Sequence, residues 1–198
     1  RFVNEIESIT MLALARSANT GLADGKLIPE MLIIGLKLTA KATEIPSEVI
    51  ELIAGQRKSG IVFTCVREVP FEGRTREECA FVVRRAQPGR AGHTLIYHVY
   101  AGDWQPAGEC QLELTSSTID ELWASLCSQA ILGTTDFENL DARIVQHGEI
   151  ARLEADVDKL TRDHQRAKNP AQRNEIYAKL HKGKDAISAD ARSIRRYS

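Results

Sequence analysis

Gly60-Ile61-Val62-Phe63-Thr64-Cys65-Val66 is the stretch whose reading decides the fold. It is rich in β-branched and aromatic residues and carries no helical break in hydrophobicity, so it reads as a strand. Three more such runs follow: Cys79-Ala80-Phe81-Val82-Val83, Leu95-Ile96-Tyr97-His98-Val99-Tyr100 and Cys110-Gln111-Leu112-Glu113-Leu114. Turn-forming segments separate them, at Phe71-Glu72-Gly73-Arg74, Gln87-Pro88-Gly89-Arg90 and Ala101-Gly102-Asp103. Four short strands joined by short polar loops predict an antiparallel meander, and with no helix between them parallel crossovers are not expected.

Upstream of Gly60 the pattern reads as helical. Phe2, Ile6, Ile9 and Ala13 recur at four, three and four residues, one face of a helix over Phe2 to Ala18. Pro29 suits a first helical position, with Leu32, Ile33, Leu36 and Ala40 after it, and a third helix follows Pro46 up to Gly55. Downstream, Thr118-Ile119-Asp120-Glu121 matches a capping box, opening a helix with Leu122, Trp123, Leu126, Ala130 and Ile131 on its apolar face. That helix is placed to cover the sheet.

The end of the chain has a different period. Ile150, Leu153, Val157, Leu160, His164 and Ala167 alternate steps of three and four, and so do Tyr177, Leu180, Lys184, Ile187, Ala191 and Ile194. Asn169-Pro170 between them supplies a cap and a first helical residue. Two heptad-like helices joined by a tight break predict an antiparallel coiled-coil hairpin. The fold class is therefore α+β in three parts. These are a helical N-terminal part (1–59), a four-stranded, mainly antiparallel sheet with a covering helix (60–140), and the hairpin (141–198).

The 198 residues include 26 Lys+Arg and 27 Asp+Glu, with 43% hydrophobic residues, which suits a globular core. No apolar run approaches the roughly 20 residues of a bilayer span, so no membrane association is expected. The near-zero net charge hides a bias: from Lys159 onward there are 11 bases and 4 acids. Such an excess attracts nucleic acid or an acidic protein surface, and also describes an ordinary solvated helix face. Cys65, Cys79, Cys110 and Cys127 include no C-x-x-C pair, which reads as reduced, buried thiols and a cytoplasmic protein. The chain begins at Arg1 rather than a methionine, which points to a preceding segment.

Catalytic patterns are scarce. There is no phosphate-binding loop and no H-E-x-x-H, and His93, His98, His147, His164 and His181 have no mutual ligand spacing. Ser116, Ser117 and Ser125 lack a nucleophile-elbow context. A metal-dependent nuclease would draw on Glu109 and Glu113 along a strand and on Glu68 and Glu78 at strand ends. Residues 59–158, however, contain no lysine to serve with them. The expectation is no enzyme, no metal and no cofactor. Trp104, in the turn Gly102-Asp103-Trp104-Gln105-Pro106, can anchor a partner, stack on a base, or fold back over the core edge.

Several passages, in order, resemble one family. Leu52-Ile53-Ala54 leading into Gly60-Ile61-Val62-Phe63 is similar to that family's helix entering its first strand. Tyr97-His98-Val99-Tyr100-Ala101-Gly102-Asp103-Trp104 resembles its aromatic strand followed by an acid and a tryptophan, and Leu122-Trp123-Ala124-Ser125-Leu126 its capping helix. Ala151-Arg152-Leu153-Glu154 through Arg173-Asn174-Glu175-Ile176-Tyr177-Ala178-Lys179-Leu180 resembles its charged helical hairpin. The family is the bacterial domain-of-unknown-function family 4391, found beside helicase and DNA methyltransferase genes in restriction-like anti-phage loci. The family's lysine-rich break is here Ala167-Lys168-Asn169-Pro170.

The resemblance implies an accessory role in DNA-linked defence, and the favoured reading is a non-catalytic accessory subunit that docks through its hairpin on a larger protein of the same defence locus, such as a helicase. The docking residues are then Leu153, Val157, Leu160, Tyr177, Leu180 and Ile187, together with Trp104. The alternative is a sequence-independent nucleic-acid-binding module. Its phosphate contacts would come from Arg166, Lys168, Arg173, Lys179, Lys182, Lys184, Arg192, Arg195 and Arg196. A metal-dependent nuclease ranks below both.

Overall fold

β1 (Ile6–Ala15), α1 (Ser17–Thr20), β2 (Met31–Leu38), α2 (Ser47–Gly55), β3 (Gly60–Phe71), β4 (Arg74–Ala86), β5 (Tyr97–Ala101), β6 (Gln105–Pro106), a 3-10 turn (Ala107–Glu109) and α3 (Ile119–Leu132) follow one another, before two long helices, α4 (Leu140–Arg166) and α5 (Pro170–Ile194). The computed structural model describes residues 5–42, 44–87 and 95–194, with side chains through residue 188. Phe2, the Gly89-Arg90 turn positions, His93, Arg195 and Arg196 lie outside the described residues, as does the side chain of Arg192. The chain divides into two compact units, residues 1–140 and 141–198.

β3 is central. It pairs antiparallel with β4 on one side, through Val62–Val83 to Phe71–Arg74, and parallel with β2 on the other, through Met31–Gly60 to Lys37–Val66. The sheet order is β1-β2-β3-β4-β5, with β6 also pairing β4, six strands among the described residues. The parallel pair is possible because α2 carries the chain across between β2 and β3. β3 and β4 are joined by a two-residue turn in which Glu72 (φ 49°) and Gly73 (φ 76°) both take left-handed conformations, as a type I′ hairpin requires.

Two predicted helices are strands. Phe2–Ala18 contains β1, and the segment after Pro29 is β2, so the part read as helical adds two strands to the sheet. β2 is buried on both faces, which makes it a continuous apolar run without a strand's alternation. The helix after Pro46 is present as α2.

The run Cys110–Leu114 is not a strand. Its backbone is bonded by a side chain instead: Glu113 N–H donates to Gln129 Oε1 at 2.8 Å, and Gln129 Nε2 donates to the Glu113 carbonyl at 2.9 Å. The amide of Gln129 on α3 thus replaces a neighbouring strand. The Glu109 and Glu113 carboxylates accordingly do not lie along a strand, while Glu68 and Glu78 sit within β3 and β4 rather than at their ends.

Each face of the sheet is covered by one helix. Leu32, Ile34, Leu36, Ile61, Phe63, Cys65 and Val82 form the core with Ile50 and Ala54 of α2. On the opposite face α3 buries Leu122, Leu126 and Ala130, and its Trp123 ring lies on Gly60, where a Cβ would come within 2.7 Å of the indole. Thr118 caps α3, accepting the Glu121 N–H at 3.1 Å, while Glu121 reaches back to the Ser117 N–H at 3.0 Å. In the second unit Asn169 Oδ1 accepts the Ala171 N–H at 2.9 Å, and Pro170 opens α5.

Candidate functional site

The second unit owes its form to where its apolar residues fall. On α4, Ile150, Leu153, Val157, Leu160 and His164 are half-buried, and Ala167 just beyond its end is buried, a stripe at the predicted spacing. On α5 the corresponding stripe is Leu180, which is buried, with Ile176, Gly183 and Ile187 half-buried. Tyr177 and Lys184, expected on that stripe, are exposed, Tyr177 by 53%. Gly183 explains the difference: Val157 Cγ2 occupies the space beside it, 2.9 Å from where a Cβ would stand. A glycine carries no hydrophobic signal, so the pattern of side chains favoured Lys184 next to it.

Tyr177 has polar company on the outside of this stripe. Its hydroxyl lies 3.0 Å from His181 Nε2, and its ring lies 6.1 Å from that of His164. Of the hairpin docking residues, Leu153, Val157, Leu160 and Ile187 are half-buried and Leu180 is buried, while Tyr177 is exposed.

The basic residues do not form an unbroken positive surface. Arg166, Lys168, Arg173, Lys179, Lys182 and Lys184 are all exposed. Lys179 is engaged, with Nζ 2.7 Å from Glu175 Oε1, and this hydrogen bond holds the Glu175 carboxyl below the usual range. Arg166, Lys168 and Lys179 line one open depression of about 610 Å³, together with Asp163 and Glu175 and the apolar Leu160, Ala167 and Ile176. The depression joins the break between the helices to both apolar stripes. Chemically it suits a mixed polar and apolar surface better than a bare polyanion.

Trp104, in the first unit, is half-buried against the core cluster, with the Arg67 guanidinium 4.0 Å from its ring centroid. Arg67 also donates to Glu78 Oε2 at 2.8 Å, and Arg76 donates to Glu78 Oε1 at 2.5 Å. Hydrogen bonds from Arg67 and then Arg76 hold the buried Glu78 carboxyl below its ordinary range. Glu78 is therefore a clamp between two strands, a role that its place in an acidic strand sequence did not indicate. Glu109 and Glu113 share an open depression of about 770 Å³ with Gln105, Gln111 and Gln129.

Cys65, Cys79 and Cys127 are buried and Cys110 is half-buried, all as free thiols. Burial pushes the thiols of Cys65 and Cys79 up to about 12. No group of three or more His, Cys, Asp or Glu side chains among the described residues could hold a metal ion. No helix among them is long and apolar enough to cross a membrane.

No match was found among curated proteins or among solved structures. The family model described as Domain of unknown function (DUF4391) matches residues 1–187, nearly the whole chain, and the protein belongs to that family.

Proposed function

We propose that the protein is a non-catalytic accessory subunit of a bacterial anti-phage, restriction-like defence complex, docking on a larger protein of the same locus, such as a helicase, through its α4–α5 hairpin. The observation that carries the reading is the second unit itself. It is a separate compact unit whose helices keep an apolar stripe only half-buried, with Tyr177 exposed beside it and a mixed charged and apolar depression at its break. Exposed aromatic residues beside apolar ridges with a polar surround are typical anchors for a protein partner. The defence setting follows from the family resemblance.

The test is co-purification of the full chain with the products of neighbouring genes. The expected result is a stable complex that is lost in Tyr177→Asp, whose exposed position leaves the hairpin folded. Leu153→Asp with Leu180→Asp should also abolish it, by opening the hairpin. Full retention of the complex in Tyr177→Asp and in the double variant would remove the hairpin from the interface.

The second reading, sequence-independent nucleic-acid binding, is favoured by the exposure of Arg166, Lys168, Arg173, Lys182 and Lys184. Binding of this kind is on the order of 10⁻⁴–10⁻⁶ M near physiological salt and falls steeply as salt rises. Charge reversal at Arg166, Lys168, Lys182 and Lys184 should weaken it equally for all DNA sequences and flatten its salt dependence. A variant that keeps DNA binding but loses the protein complex makes these bases a docking rim.

A further inference from the structure

We propose that β1 is a pairing edge for a second copy of this chain, the two β1 strands running antiparallel about a two-fold axis through Thr10. β1 ends the sheet: its ladder is with β2 on one side, and no strand among the described residues pairs with its other side. Open edges in natural sheets are usually blunted by lysine, proline, inward-pointing charge or bulges, and β1 has only the last of these, as register shifts between Ile6 and Ser8 and between Met11 and Ala13. From Ser8 to Ala15 this edge has no charged residue and no proline. Ile9, Met11 and Leu12 are exposed by 55%, 61% and 55%.

The register identifies the occupant. Opposite residues in a ladder share a face, and Ile6, Ile9, Met11 and Leu14 pair with Leu38, Leu36, Ile34 and Leu32, all on the face that α2 covers. These four positions are symmetric about Thr10. A two-fold axis normal to the sheet keeps each face on its own side. With Thr10 opposite Thr10, Ile9 then meets Met11 of the copy and Met11 meets Ile9, with Ile6 and Leu14 flanking them on the same face. On the other face Ser8 meets Leu12. Every exposed apolar side chain on the α2 face of β1 gains an apolar neighbour.

Charge agrees with this direction. Glu5 and Glu7 stand at one end of β1 and Arg16 at the other. An antiparallel copy brings the acidic end of each strand beside the basic end of its partner, whereas a parallel copy would set like against like. Arg16 is also bonded to Glu30 but keeps 55% of its side chain exposed. Asn19 Nδ2 donates to the Leu14 carbonyl at 2.8 Å, which closes the edge at that point. The new ladder therefore runs from Glu7 to Ala13 in each copy. This contact is independent of the hairpin, so its failure would leave the docking reading untouched.

The experiment uses the full chain with Thr10→Cys in a Cys110→Ser background, oxidised with copper phenanthroline. Two thiols facing across the axis then lose two protons and two electrons to the copper reagent and form one S–S bond. The expected product is a covalent dimer on a non-reducing gel. Ile9→Cys alone should cross-link poorly, because Ile9 and its copy are offset by two residues along the strands, beyond the reach of about 7 Å between Cα atoms. A mixture of Ile9→Cys and Met11→Cys should cross-link. In sedimentation, the unmodified chain should be a dimer, and Thr10→Lys, which sets like charges face to face, should weaken association by about an order of magnitude. A monomer at the highest attainable concentration overturns the proposal. So does a dimer that survives Thr10→Lys and is not cross-linked through Thr10.

Discussion

The carboxylate of Asp120 holds the backbone of Lys26, a residue 94 positions earlier in the chain, at 2.6 Å. The same group accepts the N–H of Leu27 and of Ile28, each at 3.1 Å, and it fills the space beside Gly25, where a Cβ would come within 2.6 Å of Oδ1. One side chain at the start of α3 thus fixes the loop that leads into β2.

Asp120→Ala should destabilise the first unit by about 1.5–3 kcal/mol, the range for hydrogen bonds to a charged acceptor. The pH dependence has a definite sign. Partial burial raises the Asp120 carboxyl, but the N–H bonds from Ile28, Lys26 and Leu27 outweigh it and leave the group below its usual value. A depressed carboxyl stabilises fully above its unfolded value and loses that contribution as pH falls through the folded one. Urea melts of wild type and Asp120→Ala should therefore differ at neutral pH and converge in acid. A gap that stays constant down to acid would show that the charge is not responsible.

Glu78→Gln should lower the melting temperature at neutral pH, because it leaves Arg67 and Arg76 facing each other without an anion. Arg76 Nε is already buried with no partner among the described residues. The Glu78 carboxyl is depressed, so the wild-type advantage should likewise fade as pH falls through its folded value. A variant as stable as wild type at neutral pH would remove the clamp.

Glu72 is strained by its left-handed backbone, which costs a residue with a Cβ about 1–2 kcal/mol. Glu72→Asn should stabilise the hairpin by about 1 kcal/mol, since Asn enters that region readily. Thermal or urea unfolding of the two proteins measures it; no gain would mean that Glu72 makes a compensating contact.

Gly183→Ala opposes two effects. Helix propensity favours alanine by about 1 kcal/mol, while overpacking against Val157 costs about 1–3 kcal/mol. The stiffness of a valine side chain lets packing win, so the single variant should lose helical content on heating earlier than wild type. In a Val157→Ala background the same change should become stabilising. Equal effects in both backgrounds would mean that the two residues do not press on each other.

The misreading of β1 has a specific cause. Register shifts between Ile6 and Ser8 and between Met11 and Ala13 insert extra residues into the strand. The core-facing positions become Ile6, Ile9, Met11 and Leu14, steps of three, two and three, which resemble a helical period more than alternation. β2 failed as a strand for the opposite reason, being apolar on both faces. Where the sheet has ordinary pleating, as in β3, β4 and β5, the strands were legible, and so was α3 from Thr118 and Glu121. The half-buried stripe of α4 was readable from Leu153, Val157 and Leu160. The α5 side slipped because its closest approach uses Gly183, a residue visible to packing and invisible to hydrophobicity. Glu78 was hidden similarly, since its partners Arg67 and Arg76 are set by strand pairing.

The position of α3 has a consequence for synthesis. A chain leaving the ribosome delivers the six described strands before Trp123 arrives to lie on Gly60 and before Asp120 can take the 26–28 backbone. Until residue 132 has cleared the exit tunnel, the sheet face carrying Val62 and Val83 remains wet and open to other nascent chains. At the usual pace of about 5–20 residues per second, that window lasts some seconds. Translation speed across the codons that lie one tunnel length beyond those of residues 106–132 should therefore govern the yield of native protein more strongly than speed elsewhere in the message.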